Sequence, residues 1–552
     1  MQKFRVCSFL ILGAFILVCF ALPGRMTLPP FDRDEARYMQ ASRQMEKSND
    51  FIEIHFQETA RNHQPVGLYW LEVASLKTQE FFSGTDVSLS PWIYRVPALV
   101  ATAIVGALTT FIGIVLFSPW IGIGATCLLG TSVLFSVESR LATPDPCLLA
   151  CIMGLASILA VILRQQEKAE KTSYRYSLAY WAIVGFGLLI KGPMILLPAL
   201  LTPLALSLTG SGKEIWRRLH PLGIWLSLCI AAPWYIAIYF RTNGQFFDFA
   251  LKHNLLGKVK GGQETHGFPP LYYVSIFLLS FWPGSYLFIK SLPSIWKDRF
   301  QWQIRFLLCW ILPIWLFFEL IPTKLPHYVL PVYPAIALLS AAYFFVLPVS
   351  SRKSVRFFKM LYAICWIALS LILFLGIPFL LQKEEIHTNP FFYFFLILTF
   401  CSFFLGFFFL FKNSFLKAFL GIIGGALGLE LSLYFFVLPV FPLFHLSEKI
   451  SHVFEKERPC FTSHLISISD KEPSLVFLVG GERVILSGPE QAISLLKDKN
   501  ACDMLLLDMK REGDALHLAE KEGIPLKEVG QIKGKNYSNG RDLDLRLYKK
   551  SS

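Results

Sequence analysis

The chain has 552 residues, 54% of them hydrophobic and only 16% charged, with a formal net charge of +13 and 51 phenylalanines. A soluble chain of this length carries about a quarter charged residues and arranges its apolar ones in stripes, so an ordinary soluble globular protein is excluded. In a membrane chain the excess cations belong in cytoplasmic loops, and no nucleic-acid partner is expected.

In chain order, Val6–Leu22 is the first apolar block. No small-x-small cleavage site follows it and further blocks come later, so it reads as an uncleaved first helix. Ile93–Phe117, Leu222–Phe240, Leu271–Phe288 and Leu361–Leu381 are each long enough to cross a bilayer. Together the apolar runs predict a polytopic α-helical membrane protein of about 13 transmembrane helices. Cations cluster at Arg164, Lys168, Lys171 and Arg175; at Lys213, Arg217 and Arg218; at Lys290, Lys297, Arg299 and Arg305; at Arg352, Lys353, Arg356 and Lys359; and, more weakly, at Lys412 and Lys417. With the N-terminus inside, that count puts every cluster on the cytoplasmic face. It predicts a multi-pass protein of the bacterial inner (plasma) membrane, with Gly24–Pro91, Arg241–Pro270 and everything after about Phe441 on the periplasmic side.

Two domains are expected: a membrane domain over 1–442, which includes the outer loop 24–91, and a periplasmic α/β domain over 443–552. In the loop, Asp34–Lys47 and Pro65–Phe82 read as amphipathic helices lying in the membrane interface. In the second domain Ser474–Gly480, Arg483–Leu486 and Met504–Asp508 read as strands. Glu490–Lys497 and Asp514–Glu522 read as helices, and Asn536–Asn539 as the turn of a closing hairpin. Gly480–Gly481 is a lone pair and no phosphate loop, so this domain is expected to have a structural or acceptor-docking role. Nine of the 11 cysteines lie in or beside apolar spans and act as small hydrophobes. Cys460 and Cys502 lie in the outer region, where a disulfide is one open alternative.

Charges in or near apolar helices are costly and call for a function. Four groups qualify, all at the predicted outer surface. The first is Asp32-Arg33-Asp34-Glu35-Ala36-Arg37-Tyr38, where Asp34 shares a helix face with Arg37 and Tyr38; a helix cap is the competing reading. The second is Arg61-Asn62-His63-Gln64 ahead of Tyr69, for which a solvated loop competes. The third is Lys191-Gly192-Pro193 with Lys324-Leu325-Pro326-His327-Tyr328, two lysines against the positive-inside trend that suggest anion binding. The fourth gathers Glu138, Arg140 and Asp145, then His253, Lys258, Lys260 and His266. Cations beside lipid suggest a phosphate-bearing lipid ligand, and the carboxylates suggest acid–base work.

These residues carry a resemblance. Asp34-Glu35-Ala36-Arg37-Tyr38, His63-Gln64-Pro65-Val66-Gly67-Leu68-Tyr69-Trp70, Arg140-Leu141-Ala142-Thr143-Pro144-Asp145, Lys191-Gly192-Pro193 and Lys324-Leu325-Pro326-His327-Tyr328 follow one another over about 300 residues. In that order the chain resembles the lipid-A aminoarabinose transferase family, within the protein-O-mannosyltransferase-like glycosyltransferases of GT-C fold. The resemblance implies transfer of a sugar from a polyprenyl-phosphate donor to lipid A or the lipopolysaccharide core. It implies Asp34 and Asp145 as the catalytic carboxylates, and Arg37, Arg61, Lys191 and Lys324 as phosphate-binding cations. Glu35, Tyr38, Tyr69, His327 and Tyr328 would line the cavity. The family commonly has Glu-Lys where this chain has His63-Gln64, and the Glu is a metal ligand there. Histidine also ligates zinc, so a His63–His266 site is the corresponding metal expectation. The donor sugar is expected to be 4-amino-4-deoxy-L-arabinose, with galacturonic acid as the alternative. From another class, a lipid or sugar flippase shares the helices and the intramembrane charges.

Overall fold

The computed structural model describes residues 2–30, 33–212, 214–250, 252, 270–344, 353–468, 471–498, 502–537 and 540–551. The chain divides into two compact units: Met1–Arg25 with Asn62–Leu68 and Val96–Phe436, and Met26–Arg61 with Tyr69–Arg95 and Val437–Ser552. The outer loop, expected within the membrane domain, therefore groups largely with the C-terminal residues.

The first unit is helical. Among the described residues nine helices are long and apolar enough to cross a membrane, or ten if one bent pair counts as a single span. The expected 13 is reached only by adding the shorter apolar helices Arg5–Ala21, Pro119–Gly130 and Leu197–Gly210. The bent pair corrects one expectation. Leu271–Phe288 is not a continuous span but two helices, Tyr272–Ser280 and Gly284–Lys297, set 119° apart. The break falls at Phe281-Trp282-Pro283, where Pro283 has no N–H to continue the helical ladder. Trp282 is buried at the bend, donates to Ser370 Oγ at 2.8 Å and stacks on Phe403 at 5.1 Å.

Lipid gives helices no hydrophobic reason to associate, so close backbone approach has to do that work. Helix α1 (Gln2–Ala21) meets Val96–Leu116 through Gly13 and Gly106, where a Cβ on Gly106 would stand 2.4 Å from the Gly13 carbonyl oxygen. Gly113 against Gly122, and Gly406 against Gly421, repeat the arrangement in two further helix pairs.

The second unit contains helix α2 (Arg33–Ser48), a short antiparallel pair β1 (His55–Phe56) and β2 (Thr59–Ala60), and most of helix α3 (Gly67–Ser83). In α2 Ala36, Met39, Ala41 and Met45 are buried by protein, whereas α3 leaves Trp70, Leu71, Phe81 and Phe82 exposed. That apolar face is what an interfacial helix presents. The C-terminal part is a five-stranded sheet of β3 (Leu465–Ser467), β4 (Val484–Leu486), β5 (Met504–Asp508), β6 (Leu526–Lys535) and β7 (Asp542–Lys550), in the order β4-β3-β5-β7-β6. The first three strands are parallel, and the β6–β7 hairpin closes the sheet antiparallel. Helices Pro489–Asp498 and Asp514–Lys521 fall where the sequence predicts them.

Ser474–Gly480, expected as a strand, is instead the helix Pro473–Val479. Glu472 and Pro473 open it as cap and first residue, and Gly480 closes it with φ of 100°. Apolar runs this short do not distinguish helix from strand. Cys460 and Cys502 form a disulfide within this domain.

Candidate active site

The polar residues singled out in the sequence form one cluster in each unit. In the second unit α2 begins after Pro29-Pro30, with Asp34 and Glu35 in its first turn, where the helix dipole favours carboxylates. Asp34 lies 3.1 Å from Arg37 and 3.7 Å from Arg61, and its side chain is 61% exposed. Arg61 is buried apart from this contact: its Nε donates to the Tyr69 hydroxyl at 3.1 Å and its guanidinium lies over the Tyr38 ring. Tyr38 and Tyr69 pack at 5.4 Å. Burial works against the charge on Arg61, but Tyr69, Tyr38 and Asp34 outweigh it and hold the guanidinium protonated. Burial also raises the Tyr69 hydroxyl above its ordinary value, against the pull of Arg61. The result is an exposed carboxylate between one fixed cation, Arg61, and one partly exposed cation, Arg37, with all five predicted residues brought together.

Glu35, predicted to line the cavity, does not. It is fully buried in a bidentate pair with Arg95, at 2.7 and 3.1 Å, and Arg95 also donates to the carbonyls of Leu28 and Pro29. The α-helical period sends Glu35 inward while its neighbour Asp34 faces out. Below the cluster, Glu72 on α3 is fully buried with the Ser42 hydroxyl 2.6 Å from one oxygen. Burial pushes its carboxyl well above the usual carboxylate range, and nearby Glu35 adds to this.

In the first unit Asp145 occupies the first turn of helix Pro144–Glu167, and Lys191 ends helix Tyr174–Lys191. Gly192, at φ of 61°, stops that helix and leaves the ammonium 2.6 Å from both Asp145 oxygens. The predicted second acid and a predicted phosphate cation are thus each other's partner. His327 stands 3.7 Å from Glu138 and acts electrostatically on Asp145, and its ring meets Tyr328 edge-on. Lys324, predicted to bind phosphate, is buried and donates to the carbonyls of Phe318, Glu319 and Ile321 at 3.3, 2.6 and 2.7 Å. It caps the C-terminal end of helix Trp302–Leu320, where a cation also meets the helix dipole. Arg140 donates to the carbonyls of Pro23, Ser136 and Phe20 and lies over the Tyr434 ring.

Of the metal pair, His63 is exposed and edge-on to Phe249, and His266 lies outside the described residues, as do His253, Lys258 and Lys260. Among the described residues no three His, Cys, Asp or Glu side chains gather as a metal site.

Among the buried charges that escaped the sequence reading are Glu72, Arg95, Glu319 and Glu430. Glu319 accepts the N–H groups of Leu271, Tyr273 and Val274, and Glu430 lies within electrostatic reach of Arg140. Both sit in apolar runs, and the rule that found the other intramembrane charges would have found them.

Residues 85–236 match the family model for dolichyl-phosphate-mannose-protein mannosyltransferase. The undecaprenyl phosphate-alpha-4-amino-4-deoxy-L-arabinose arabinosyl transferase of Pectobacterium carotovorum is 27% identical over 350 residues, covering 62% of this chain and 59% of the relative. The enzyme of that name from Pseudomonas aeruginosa strain LESB58 is 26% identical over 350 residues, with coverages of 61% and 59%. The chain thus spans about three-fifths of the length of the curated relatives it matches. The crystal structure of ArnT from Cupriavidus metallidurans bound to undecaprenyl phosphate superposes with a TM-score of 0.72 at 18% identity, over 99% of this chain and 98% of that one. Its apo form gives 0.67. The architecture is therefore that of a multi-span membrane protein of GT-C fold.

Proposed function

From its similarity to the curated arabinosyl transferases and to the fold of ArnT, we propose that the chain is a membrane glycosyltransferase that moves 4-amino-4-deoxy-L-arabinose from undecaprenyl phosphate to lipid A or the lipopolysaccharide core. The observation that carries the reading is Asp34, exposed on the first turn of α2 between Arg37 and Arg61. On this reading the chain lies in the inner membrane with Asp34 turned to the periplasm, as the distribution of cations among the loops predicts.

The donor already carries its leaving group. As the C–O bond between sugar and phosphate breaks, negative charge grows on the phosphate oxygens. Cations fixed beforehand meet that charge without reorganising, which can be the largest single catalytic contribution. Arg37, partly exposed beside Asp34, is free to turn toward a phosphate, whereas Arg61 is held by Tyr38 and Tyr69 and fixes the carboxylate. Asp34, as an ionised acceptor, takes the proton of a hydroxyl acceptor. If the acceptor is a phosphate, it orients the amino sugar and stabilises positive charge developing on the ring. Lys191 is already neutralised by Asp145, so that pair serves a phosphate only by opening; Glu35 and Lys324 are committed to the fold.

The test is the mass spectrum of lipid A and core from cells with the gene deleted, restored, or carrying Asp34→Asn. Deletion should remove one sugar, identified by its mass as the amino pentose, and only the wild-type gene should restore it. Loss of a hexuronic acid instead would assign galacturonic acid. Identical spectra from all three strains would refute the lipopolysaccharide reading and favour transport.

A further inference from the structure

The sequence leaves the C-terminal domain and its Gly480–Gly481 pair without a task, and α2 supplies one. Both ends of α2 are tied to this domain by ion pairs. At the N-terminal end Arg33, adjacent to Asp34, makes a bidentate bridge to Glu472, with Nε to Oε2 at 2.9 Å and Nη2 to Oε1 at 2.6 Å. Glu472 stands at the N-cap position of helix Pro473–Val479; its side chain is only 4% exposed and also accepts from Asn536 Nδ2 at 2.7 Å. At the other end Arg43, itself buried, reaches Glu482 at 3.3 Å, and Lys47 reaches the same carboxylate at 2.7 Å.

Between the two bridges α2 rests on bare backbone. A Cβ at Gly481 would stand 1.9 Å from Gln40 Nε2, and one at Gly480 would stand 3.3 Å from Arg43 Nη1. The glycine pair is the seat for this helix. Two further contacts fix the surrounding loop: Gln57 Nε2 donates to the Val484 carbonyl at 2.8 Å, and Tyr94 meets Phe477 edge-on at 5.5 Å.

We propose that the C-terminal α/β domain clamps α2, with Glu472 and Glu482 as positioning residues that set where Asp34 stands. The proposal rests on the reading of Asp34 given above. A helix pinned at both ends presents its first-turn carboxylate in one place, and a misplacement of 1 Å at a reacting group can lower a rate by about 100-fold. Each bridge is a charge-assisted, partly buried contact, and the Arg33–Glu472 fork fixes direction as well as distance.

The experiment uses the full-length protein in lipid vesicles carrying the polyprenyl-phosphate sugar and lipid A. It compares wild type, Arg33→Glu, Glu472→Arg and the swap Arg33→Glu/Glu472→Arg. Two quantities are read: the split between kcat and donor KM, and hydrogen exchange of the α2 amides. Each single variant should lower kcat by about 10- to 100-fold while donor KM stays within about twofold. Exchange in residues 33–48 should quicken, and the swap should restore both readings at least in part. Unchanged α2 protection in the single variants overturns the clamp. Lost protection with unaltered kcat overturns the positioning role, and so does a swap no better than either single. Were the wild type to move no sugar, the activity reading would fail, and the exchange comparison would still decide the clamp by itself.

Discussion

Replacing Arg95 tests whether Glu35 belongs to the chemistry or to the fold. The two side chains are fully buried, joined at 2.7 and 3.1 Å, and Arg95 also satisfies the carbonyls of Leu28 and Pro29. Arg95→Met would leave a buried carboxylate without its cation, a loss of about 3–5 kcal/mol. It would also strip two carbonyls of their donor, at about 1–3 kcal/mol each. Together these approach the whole stability of a typical protein, about 5–15 kcal/mol. Folded protein should therefore be scarce. Glu35→Gln/Arg95→Met removes the stranded charge while keeping a polar group of similar shape, so it should recover most of the lost folded yield. The assay is the monodisperse fraction in detergent and its melting temperature, followed by sugar transfer on the folded fraction. On the proposed function the double variant should transfer sugar, because both groups are buried in their mutual ion pair while Asp34 is exposed. A Glu35→Gln protein that folds and melts like wild type yet transfers nothing would refute the reasoning and return Glu35 to the cavity.

Other perturbations follow from the same geometry. Burial raises the Glu72 carboxyl in the folded protein above its unfolded value. Its contribution to stability is therefore fully present in acid and is lost as pH rises through the raised folded value. Glu72→Gln should flatten the fall in melting temperature between mildly acidic and alkaline pH, and an identical profile in both proteins would refute the assignment. Asp145→Asn and Lys191→Met remove opposite halves of one pair with 2.6 Å contacts. Each should lower transfer, and the double variant should be no worse than the worse single; strictly additive losses in rate assays would contradict a shared role. Reducing the Cys460–Cys502 disulfide, which closes 42 residues of sequence, should lower the stability of the C-terminal domain by about 4 kcal/mol on the chain-entropy account. Unchanged melting in dithiothreitol, with reduction confirmed by thiol alkylation, would argue against it.

The membrane character and the cluster around Asp34 were legible because both rest on local rules: apolar blocks of bilayer length, and a carboxylate beside an arginine one helical turn on. What was not legible depended on partners distant in sequence. Residue type does not separate Asp34, exposed, from Glu35, which meets an arginine 60 residues away. Lys324 read as an anion site because its position defied the positive-inside trend. The carbonyls that explain it lie three to six residues back, at a helix end whose place only the fold reveals. The bend at Trp282-Pro283 was hidden inside an unbroken apolar run, and the helix at Pro473–Val479 inside one too short to show its period. Arg33 and Glu472 stand 439 positions apart and share no motif.

The unit that carries Asp34 is assembled from three stretches of chain, the last beginning at Val437. At about 5–20 residues per second, a ribosome finishing Arg95 needs roughly 20–70 s more to reach that stretch. Through that interval Arg33, Gln40 and Arg43 have been made but Glu472, Gly481 and Glu482 have not. The helix bearing Asp34 therefore waits for its seat until nearly the whole membrane body has been synthesised. A message cut short before residue 472 yields a protein with all its spans and no fixed place for its acid.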